Sequence, residues 1–307
     1  IQTPFLAHYA GLRLARARGV PAVATYHTLF EEYLHHYVPL APRLLTRALA
    51  RRFSRGQCNA LDAVVVPSAP MRAALAAYGV TAPMEIIPTG IPPADFARGD
   101  GAAFRARHGI RADRPMLLYV GRVAHEKNIG FLVDVLGEVR KRVPDALLVI
   151  CGEGPAEAGL RQHVARLALE GTVAFVGYLD RATTLLDCYR AADLFVFASR
   201  TETQGLVLLE SMAAGTPVVA IAEMGTRDVL REGEGARVAP PDAAAFASIA
   251  VRLIHDRAER EALAAAAPRY AAQWGARATA ERMAAFYGRV LGAARGRAGS
   301  AYALERA

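Results

Sequence analysis

The sequence lacks long uncharged apolar runs. Although 53% of its residues are hydrophobic, Arg, Asp or Glu interrupts every stretch before it reaches the roughly 18 to 20 residues that a membrane-spanning helix needs. The protein is therefore not expected to span a membrane. The opening from Ile1 also lacks the basic flank and apolar core of a signal peptide, and the chain is interpreted as the interior of a longer gene product.

Cysteine and lysine are also scarce. The three cysteines, Cys58, Cys151 and Cys188, show no C-x-x-C spacing, which argues against a disulfide framework or a zinc site and favours a reducing cytoplasm. The net charge of +8 comes almost wholly from arginine, because Lys127 and Lys141 are the only lysines. The codon bias of a GC-rich genome also produces such an excess, so this charge is interpreted as functional only where it clusters.

Short apolar runs alternate with amphipathic stretches, a pattern that predicts repeated βα units and parallel sheets. In the second half, strands are predicted at 116–120, 147–151, 173–176, 194–198 and 217–220, and helices at 128–142, 156–169 and 205–214. In the first half, strands are predicted at 22–26, 63–67 and 85–88, and helices at 43–53 and 69–78. An α/β fold with two sheets is therefore expected.

The 307 residues are enough for two α/β domains. The predicted division is a partial first domain with a linker at 1–108, a second domain at 109–268, and C-terminal helices at 269–307 that pack back on the first domain. The Gly- and Pro-rich stretch 89–114 is the expected linker. The Ala-rich helices after Pro240 are expected to break at Pro268.

The run from Ser199 to Ala220 carries the most chemical information. A polar loop leaves a buried strand at its carboxyl end and enters a helix near Gly205, so the backbone N–H groups at the start of that helix form an anion site. Glu202 in the loop and Glu210 in the helix then face one ligand. Alternatively, both are ordinary charges, but Glu210 in an apolar helix would be costly as a purely structural residue.

The two glutamates form an E-x7-E motif, and the whole run closely resembles glycosyltransferase family 4, whose members are retaining enzymes of the GT-B fold. The resemblance implies two Rossmann-like domains that face a cleft. The first would be truncated, because nothing here corresponds to the family's glycine-rich loop after its first strand. It further implies that Glu202 lies beside the donor sugar and that Glu210 hydrogen-bonds the ribose. The implied donor contacts at the start of the helix are Thr203, Gln204, Gly205 and Leu206.

A second motif, 121–128, directly follows a predicted strand. Gly121 lets the backbone turn, and Arg122 and Lys127 place two cations at the mouth of the sheet. Such cations can neutralise the charge that develops on a departing nucleoside diphosphate, and in the resembling family the matching residues bind it. Because the chain has no D-x-D pair, no metal or other cofactor is expected. Gly152 and Gly154 form a G-x-G-P turn that lines the nucleotide pocket by the same resemblance.

His27 is the candidate catalytic residue of the first domain. It follows a predicted strand, and by the resemblance it projects toward the donor sugar together with the catalytic candidates Glu202, Arg122 and Lys127. His35 and His36 fit an acceptor contact or an ordinary solvated position equally well. The Y-H-T run around His27 resembles the glycolipid-forming branch, especially bacterial diacylglycerol glucosyltransferases.

A basic stripe follows in the predicted helix. The stripe consists of Arg43, Arg47, Arg51, Arg52 and Arg55. Beside an acceptor site it could dock on an anionic membrane surface, or it is the polar face of an ordinary amphipathic helix.

The interpretation is a hexosyltransferase that moves glucose from UDP-glucose to a lipid such as diacylglycerol. The alternatives are a polysaccharide or phosphoinositol acceptor with GDP-mannose as donor, and a catalytically silent sugar-nucleotide-binding protein. The expected location is the cytoplasm, with peripheral attachment to the inner face of the membrane if the basic stripe docks there. No nucleic-acid partner is expected.

Overall fold

The computed structural model describes residues 1–27, 29 and 43–304. It divides into two compact units, one formed by residues 1–90 with 276–307 and the other by residues 91–275. The predicted boundary at 108/109 differs from this division, because residues 91–108 belong to the second unit.

The first unit contains a parallel sheet that has the order β1-β2-β3 among the described residues. Its elements before residue 90 are α1 (Leu6–Arg18), β1 (Val23–Thr25), α2 (Arg43–Asn59), β2 (Ala63–Val66), α3 (Ala69–Ala77) and β3 (Met84–Ile86). All four residues of β2, the central strand, are buried, as its uninterrupted apolar sequence predicts.

The second unit contains a six-stranded parallel sheet with the order β6-β5-β4-β7-β8-β9. The strands are β4 (Met116–Val120), β5 (Leu147–Cys151), β6 (Val173–Gly177), β7 (Leu194–Phe197), β8 (Val218–Ala220) and β9 (Ala236–Val238). The helices are α4 (Pro93–Phe96), α5 (Gly101–Arg107), α6 (Ile129–Arg140), α7 (Glu157–Arg166), α8 (Thr184–Ala191), α9 (Leu206–Ala213), α10 (Thr226–Val229), α11 (Ala243–His255) and α12 (Arg257–Ala272). The expected α/β fold with parallel sheets is confirmed.

The stretch 89–114 is not a simple linker. It contains α4 and α5, and their aromatic residues Phe96 and Phe104 are buried in the core of the second unit. Two of its glycines are required by packing, since a Cβ on Gly99 or Gly101 would overlap backbone carbonyl groups of α8. The glycine content that suggested a linker therefore reflects close contact between backbones.

The predicted helix break at Pro268 is absent. Pro268 lies inside α12, which continues to Ala272. Proline removes one backbone hydrogen bond from a helix, but here the following turn is held by packing, because Tyr270 and Ala271 are buried. Tyr270 also donates a 2.8 Å hydrogen bond to the Val229 carbonyl oxygen.

The final helix, α13 (Ala276–Leu304), belongs to the first unit. Phe286 on this helix is buried against Ala63, Val65 and Ile87 at the first sheet, and Arg289 reaches Glu85 at 3.0 Å. Within the described ranges, no helix combines the length and the apolar character needed to cross a membrane.

Candidate functional site

The loops that follow β4 and β7 meet at the carboxyl edge of the second sheet, because these two strands are neighbours. The Lys127 Nζ and Glu202 Oε1 atoms lie 2.5 Å apart, and each side chain is 15% exposed. The side-chain amide of Asn128 donates a 3.3 Å hydrogen bond to the Ala198 carbonyl oxygen, and this bond also links the two loops. The structure thus brings two predicted site residues, 75 positions apart in the chain, into direct contact.

Arg122 lies in the first of these loops. Its guanidinium, 44% exposed, pairs with the nearly buried carboxylate of Glu126, and its carbonyl oxygen accepts a 3.2 Å hydrogen bond from the Tyr119 hydroxyl. Burial raises the pKa of Tyr119 well above its ordinary value, and the Glu202 and Glu126 carboxylates add to that rise. Tyr119 is therefore a neutral support for a loop that carries charged side chains.

Glu210 is almost completely buried, with 1% of its surface exposed to solvent. Its carboxylate has two hydrogen-bonding partners. The Tyr189 hydroxyl donates to Glu210 Oε2 at 2.9 Å, and the Arg181 guanidinium pairs with Oε1. Burial raises the pKa of Tyr189 well above its ordinary value, and the neighbouring Glu210 carboxylate raises it further. The tyrosine therefore keeps its proton and donates it in this bond. Arg181 is 60% exposed, so the buried carboxylate connects to the surface through it.

Neither partner of Glu210 was predicted from the sequence. Tyr189 lies on α8, and Arg181 lies in the segment between β6 and α8. A buried tyrosine on an amphipathic helix signals only a core position, and a single arginine after a strand has no distinctive spacing. The sequence predicts a charged side chain at Glu210 in an apolar helix, and a buried charge requires partners. That requirement is the signal from which a search for Tyr189 and Arg181 could have started.

The two glycines after β5, Gly152 and Gly154, allow close backbone packing against the loop after β4. A Cβ on Gly152 would overlap the Gly121 carbonyl oxygen, and a Cβ on Gly154 would overlap that of Val123. The two loops are also hydrogen-bonded to each other, with Val123 N donating to the Glu153 carbonyl oxygen at 2.9 Å. This packing accounts for the glycines whether or not a phosphate binds at the turn.

The loop that carries Glu202 ends at Gly205, which has a φ of 90° and precedes the first residue of α9, Leu206. Gln204 is buried and Thr203 is partly buried, so the predicted donor contacts lie together at this helix start. Gly225, which was not predicted as a site residue, also supports this loop. Its backbone N–H donates to the Glu202 carbonyl oxygen at 2.8 Å, and a Cβ at this position would overlap the Thr203 carbonyl group.

The same loop contains a buried hydroxyl that sequence analysis also missed. Thr201 Oγ1 is buried and has no hydrogen-bond partner among the described residues. It directly precedes Glu202 and could satisfy a polar ligand atom. Within the described ranges, no three His, Cys, Asp or Glu side chains are grouped so that they could hold a metal ion. The loops after β4 and β7 carry hydroxyl, carboxylate and cationic side chains.

His27 belongs to the first unit and follows β1. Its Nε2 lies 3.1 Å from Gln2 Oε1. Because an amide oxygen only accepts, Nε2 carries the proton, and in the neutral ring Nδ1 is left as the acceptor nitrogen. Desolvation of the ring lowers the pKa of His27, which favours that neutral form. His35 and His36 lie outside the described residues.

The basic stripe lies on α2, which begins at Arg43. Its arginines at 47, 51, 52 and 55 are exposed, and three leucines beside them are exposed too: Leu44 at 84% and Leu45 and Leu49 at 53% each. The buried face of the helix instead carries small or polar side chains, namely Thr46, Ala50, Ser54 and Gln57. An ordinary amphipathic helix would bury its leucines, so this orientation favours a surface that meets an apolar partner.

Comparisons with known proteins agree with this architecture. A family model described as "Glycosyl transferases group 1" matches residues 100–270, and one described as "Glycosyltransferase Family 4" matches residues 1–95. The chain is 36% identical over 225 residues to "Alpha-monoglucosyldiacylglycerol synthase" from Streptococcus pneumoniae, with 71% of this chain and 50% of that protein covered. It is also 36% identical over 234 residues to "D-inositol 3-phosphate glycosyltransferase" from Kineococcus radiotolerans, with 70% and 54% covered.

A solved structure, sucrose-phosphate synthase from Thermosynechococcus elongatus, matches with a TM-score of 0.78 and 27% identity over 94% of this chain and 72% of that one. This likeness confirms the GT-B fold class that the resemblance implied. The chain spans about half the length of the curated relatives that it matches.

Proposed function

Because the chain belongs to the group 1 glycosyl transferases, whose family model matches residues 100–270, we propose that it transfers a hexose from a nucleotide sugar to a lipid hydroxyl with retention of configuration. The observation that carries the proposal is the 2.5 Å ion pair between Lys127 and Glu202. It joins a cation and a carboxylate at the carboxyl edge of a parallel sheet, where open α/β sheets bind their ligands.

The donor diphosphate would bind between the two loops and the start of α9. Negative charge grows on the leaving oxygens as the glycosidic bond loosens, and cations that are already in place stabilise that charge without reorganisation. Lys127, 15% exposed, and the more exposed Arg122 supply these cations. The first N–H groups of α9 add positive potential. In this scheme a divalent metal is not needed for departure of the nucleotide.

Glu210 would bind the ribose. A ribose hydroxyl can donate to a carboxylate, and such a charge-assisted bond is stronger than a neutral one. Tyr189 and Arg181 each occupy one oxygen of Glu210 from other directions, and a carboxylate accepts about four hydrogen bonds in all. The two partners therefore orient Glu210 and leave it with accepting capacity for the sugar.

Glu202 and His27 would act at the sugar. Glu202 lies beside the cation that neutralises the diphosphate, and the E-x7-E resemblance assigns such a residue to the donor sugar and the reaction to the retaining class. His27 is neutral by its lowered pKa, so its ring can accept a proton or hydrogen-bond a sugar hydroxyl. UDP-glucose is the favoured donor because glucose is the sugar named in the Streptococcus pneumoniae relative.

A lipid acceptor is supported by two independent features. The relative from Streptococcus pneumoniae is named for a glucosyldiacylglycerol product, and α2 exposes leucines together with arginines. An exposed apolar surface with flanking cations is the kind of surface that binds an anionic membrane. Peripheral attachment there would bring the enzyme to its acceptor.

An inositol phosphate acceptor is the second candidate, because the Kineococcus radiotolerans relative, also 36% identical, is named for D-inositol 3-phosphate. A screen of UDP and GDP sugars against diacylglycerol and inositol phosphate, with mass detection of the product, separates the two. We expect a hexosyl-diacylglycerol formed from UDP-glucose. Nucleotide binding without any product would favour a catalytically silent sugar-nucleotide-binding protein.

A further inference from the structure

A carboxylate to which the proposed function gives no role lies next to the proposed donor site. Glu126 belongs to a short 3₁₀ turn, His125–Lys127, between β4 and α6. Its side chain is 7% exposed and pairs with the guanidinium of Arg122, which is 44% exposed. The carboxylate is therefore largely closed off from solvent, whereas the cation that it holds faces solvent.

The backbone of this loop is fixed from Arg122 to Lys127. The N–H of Ala124 donates to the Arg122 carbonyl oxygen, and the N–H of Lys127 donates to the Ala124 carbonyl oxygen, each at 3.0 Å. Two consecutive side chains of the turn then face different partners. Glu126 reaches back to Arg122, and Lys127 reaches across to Glu202.

Four charged side chains at this edge of the sheet form two pairs, Arg122 with Glu126 and Lys127 with Glu202. Their formal charges cancel, so these four groups add no net charge that would attract a nucleoside diphosphate. Charge-assisted hydrogen bonds to phosphate depend on the direction of the N–H groups as well as on charge. The orientation of each cation therefore matters for binding at this site.

A purely structural role accounts poorly for Glu126. Burial of a carboxylate is unfavourable, and apolar residues of similar volume often replace a buried ion pair without loss of stability. A long arginine side chain near the surface also has many rotamers, and ordering them costs entropy. Glu126 removes part of that freedom by accepting from Nη2 of Arg122. Since a guanidinium has five N–H donors, this bond uses only part of its capacity.

We propose that Glu126 is a positioning residue for the donor diphosphate. It does not touch the nucleotide, and it holds the Arg122 guanidinium where the diphosphate oxygens bind. This inference rests on the proposed function and deepens it by assigning a residue that acts through Arg122. A cation that is already oriented stabilises developing charge without reorganisation, which is the advantage that Glu126 gives to the site.

Calorimetry with UDP compares two substitutions of Glu126. Glu126→Gln keeps an oxygen that accepts from Arg122 but removes the negative charge, whereas Glu126→Ala removes both. We expect UDP affinity to fall about tenfold in Glu126→Ala and to stay within about threefold of the unmodified chain in Glu126→Gln. A simple counter-charge would have the opposite effect, because its removal makes the site more positive. Tighter UDP binding in both variants would overturn the proposal.

A double-mutant cycle with Arg122→Ala tests whether Glu126 acts through Arg122. Once Arg122 is replaced, Glu126→Ala should change UDP affinity less than about twofold, because the group that Glu126 positions is gone. Equal losses with and without Arg122 would mean that Glu126 affects UDP by another route, and the proposal would be wrong. Arg122→Ala leaves a largely buried carboxylate without its partner, so the comparison of the Gln and Ala variants serves as the test if that variant does not fold.

Uridine separates positioning from a loss of structure. It carries the ribose and the base but no phosphate, so its affinity should be equal in the unmodified chain and in both Glu126 variants. A parallel fall in uridine and UDP affinity would make Glu126 a structural residue and would overturn the proposal. The matched control is Glu261→Ala on α12, because Glu261 pairs with Arg257 at the same i,i+4 spacing. It should leave both affinities unchanged.

Failure of the proposed function gives a different result. If the folded, unmodified chain does not bind UDP, the donor site is rejected and the role of Glu126 with it. If the chain binds UDP and Glu126→Ala binds it equally well, only the positioning role is rejected.

Discussion

Helix α2 of the first unit differs from the second unit in where its arginines lie. In the second unit arginines pair with carboxylates of the same unit, as Arg105 does with Asp193 at 2.9 Å and Arg237 with Glu259 at 2.8 Å. In the first unit, α2 carries exposed arginines at 47, 51, 52 and 55, and its sequence contains no Asp or Glu.

This difference agrees with the different ligands proposed for the two units. At the proposed donor site of the second unit, the charged side chains of Lys127, Glu202 and Glu210 are paired and mostly buried, which suits a ligand that develops charge during the reaction. The exposed arginines of α2 lie beside exposed leucines, which suits the membrane surface proposed for this helix. Each prediction below tests one side of this comparison.

The largest effect is expected at α2. Replacing Arg43, Arg47, Arg51, Arg52 and Arg55 by Gln should weaken binding to anionic vesicles about 4,000-fold, at about 1 kcal/mol for each cation. Binding should also fade as salt rises, because the Debye length is about 8 Å at physiological ionic strength. Co-sedimentation with anionic and neutral vesicles measures both effects.

The matched control replaces five exposed arginines elsewhere, so that the net charge changes equally. These are Arg98, Arg111, Arg161, Arg257 and Arg277. If both variants lose binding alike, only net charge matters and α2 is not a specific docking surface. Both should keep their UDP affinity, since donor binding is proposed for other residues.

The next effect is expected at Lys127. Lys127→Ala should lower kcat about a hundredfold, because a fixed cation is lost where charge develops on the leaving group. The chain supplies a matched control, since its other lysine, Lys141, is exposed and bonded to Glu138. Lys141→Ala should leave kcat unchanged in the same assay of glucosyl transfer. Equal loss in both variants would remove Lys127 from the site.

Glu210→Ala should weaken UDP binding about ten- to a hundredfold, since a charge-assisted hydrogen bond contributes roughly 1.5 to 3 kcal/mol. Glu261→Ala is the control, because Glu261 is exposed and pairs only with Arg257 among the contacts described. Calorimetry with UDP and GDP measures the effect, and circular dichroism checks that the variant folds. Unchanged affinity for both nucleotides would exclude Glu210 from ribose binding.

Substitution of two glycines by alanine tests the backbone packing of the second unit. Gly152→Ala should destabilise the fold by roughly 1 to 3 kcal/mol, because Gly152 has a φ of 130° and its Cβ would overlap the Gly121 carbonyl group. Gly159→Ala should stabilise it by about 0.5 to 1 kcal/mol, since Gly159 lies within α7 with open space around it. Urea unfolding measures both, and a stable Gly152→Ala variant would contradict the packing described for these loops.

The buried strands were the part of the fold best predicted from the sequence. The predicted ranges 116–120 and 147–151 agree to the residue with β4 and β5, because a strand covered on both faces is a continuous apolar run between polar or glycine residues. Helix α1 was missed, since its weakly amphipathic sequence gave no clear period. Residues 91–108 were misassigned because glycines that permit close packing look the same in sequence as glycines of a flexible linker.

The sequence predicted which residues form the site better than it predicted the contacts between them. Lys127 and Glu202 were both proposed, but the direct contact between them depends on β4 and β7 being neighbours in the sheet, which no local pattern specifies. Arg181 and Tyr189 were missed because their role exists only through Glu210. The orientation of α2 was also beyond sequence reasoning, because a leucine row normally predicts a buried face.

The central claim, a donor nucleotide site in the second unit that works without metal, is tested most directly by calorimetric titration of the unmodified chain with UDP, with and without EDTA. The account predicts one UDP per chain with the same affinity in both buffers. No binding by the folded protein, or binding only when a divalent metal is supplied, would contradict it.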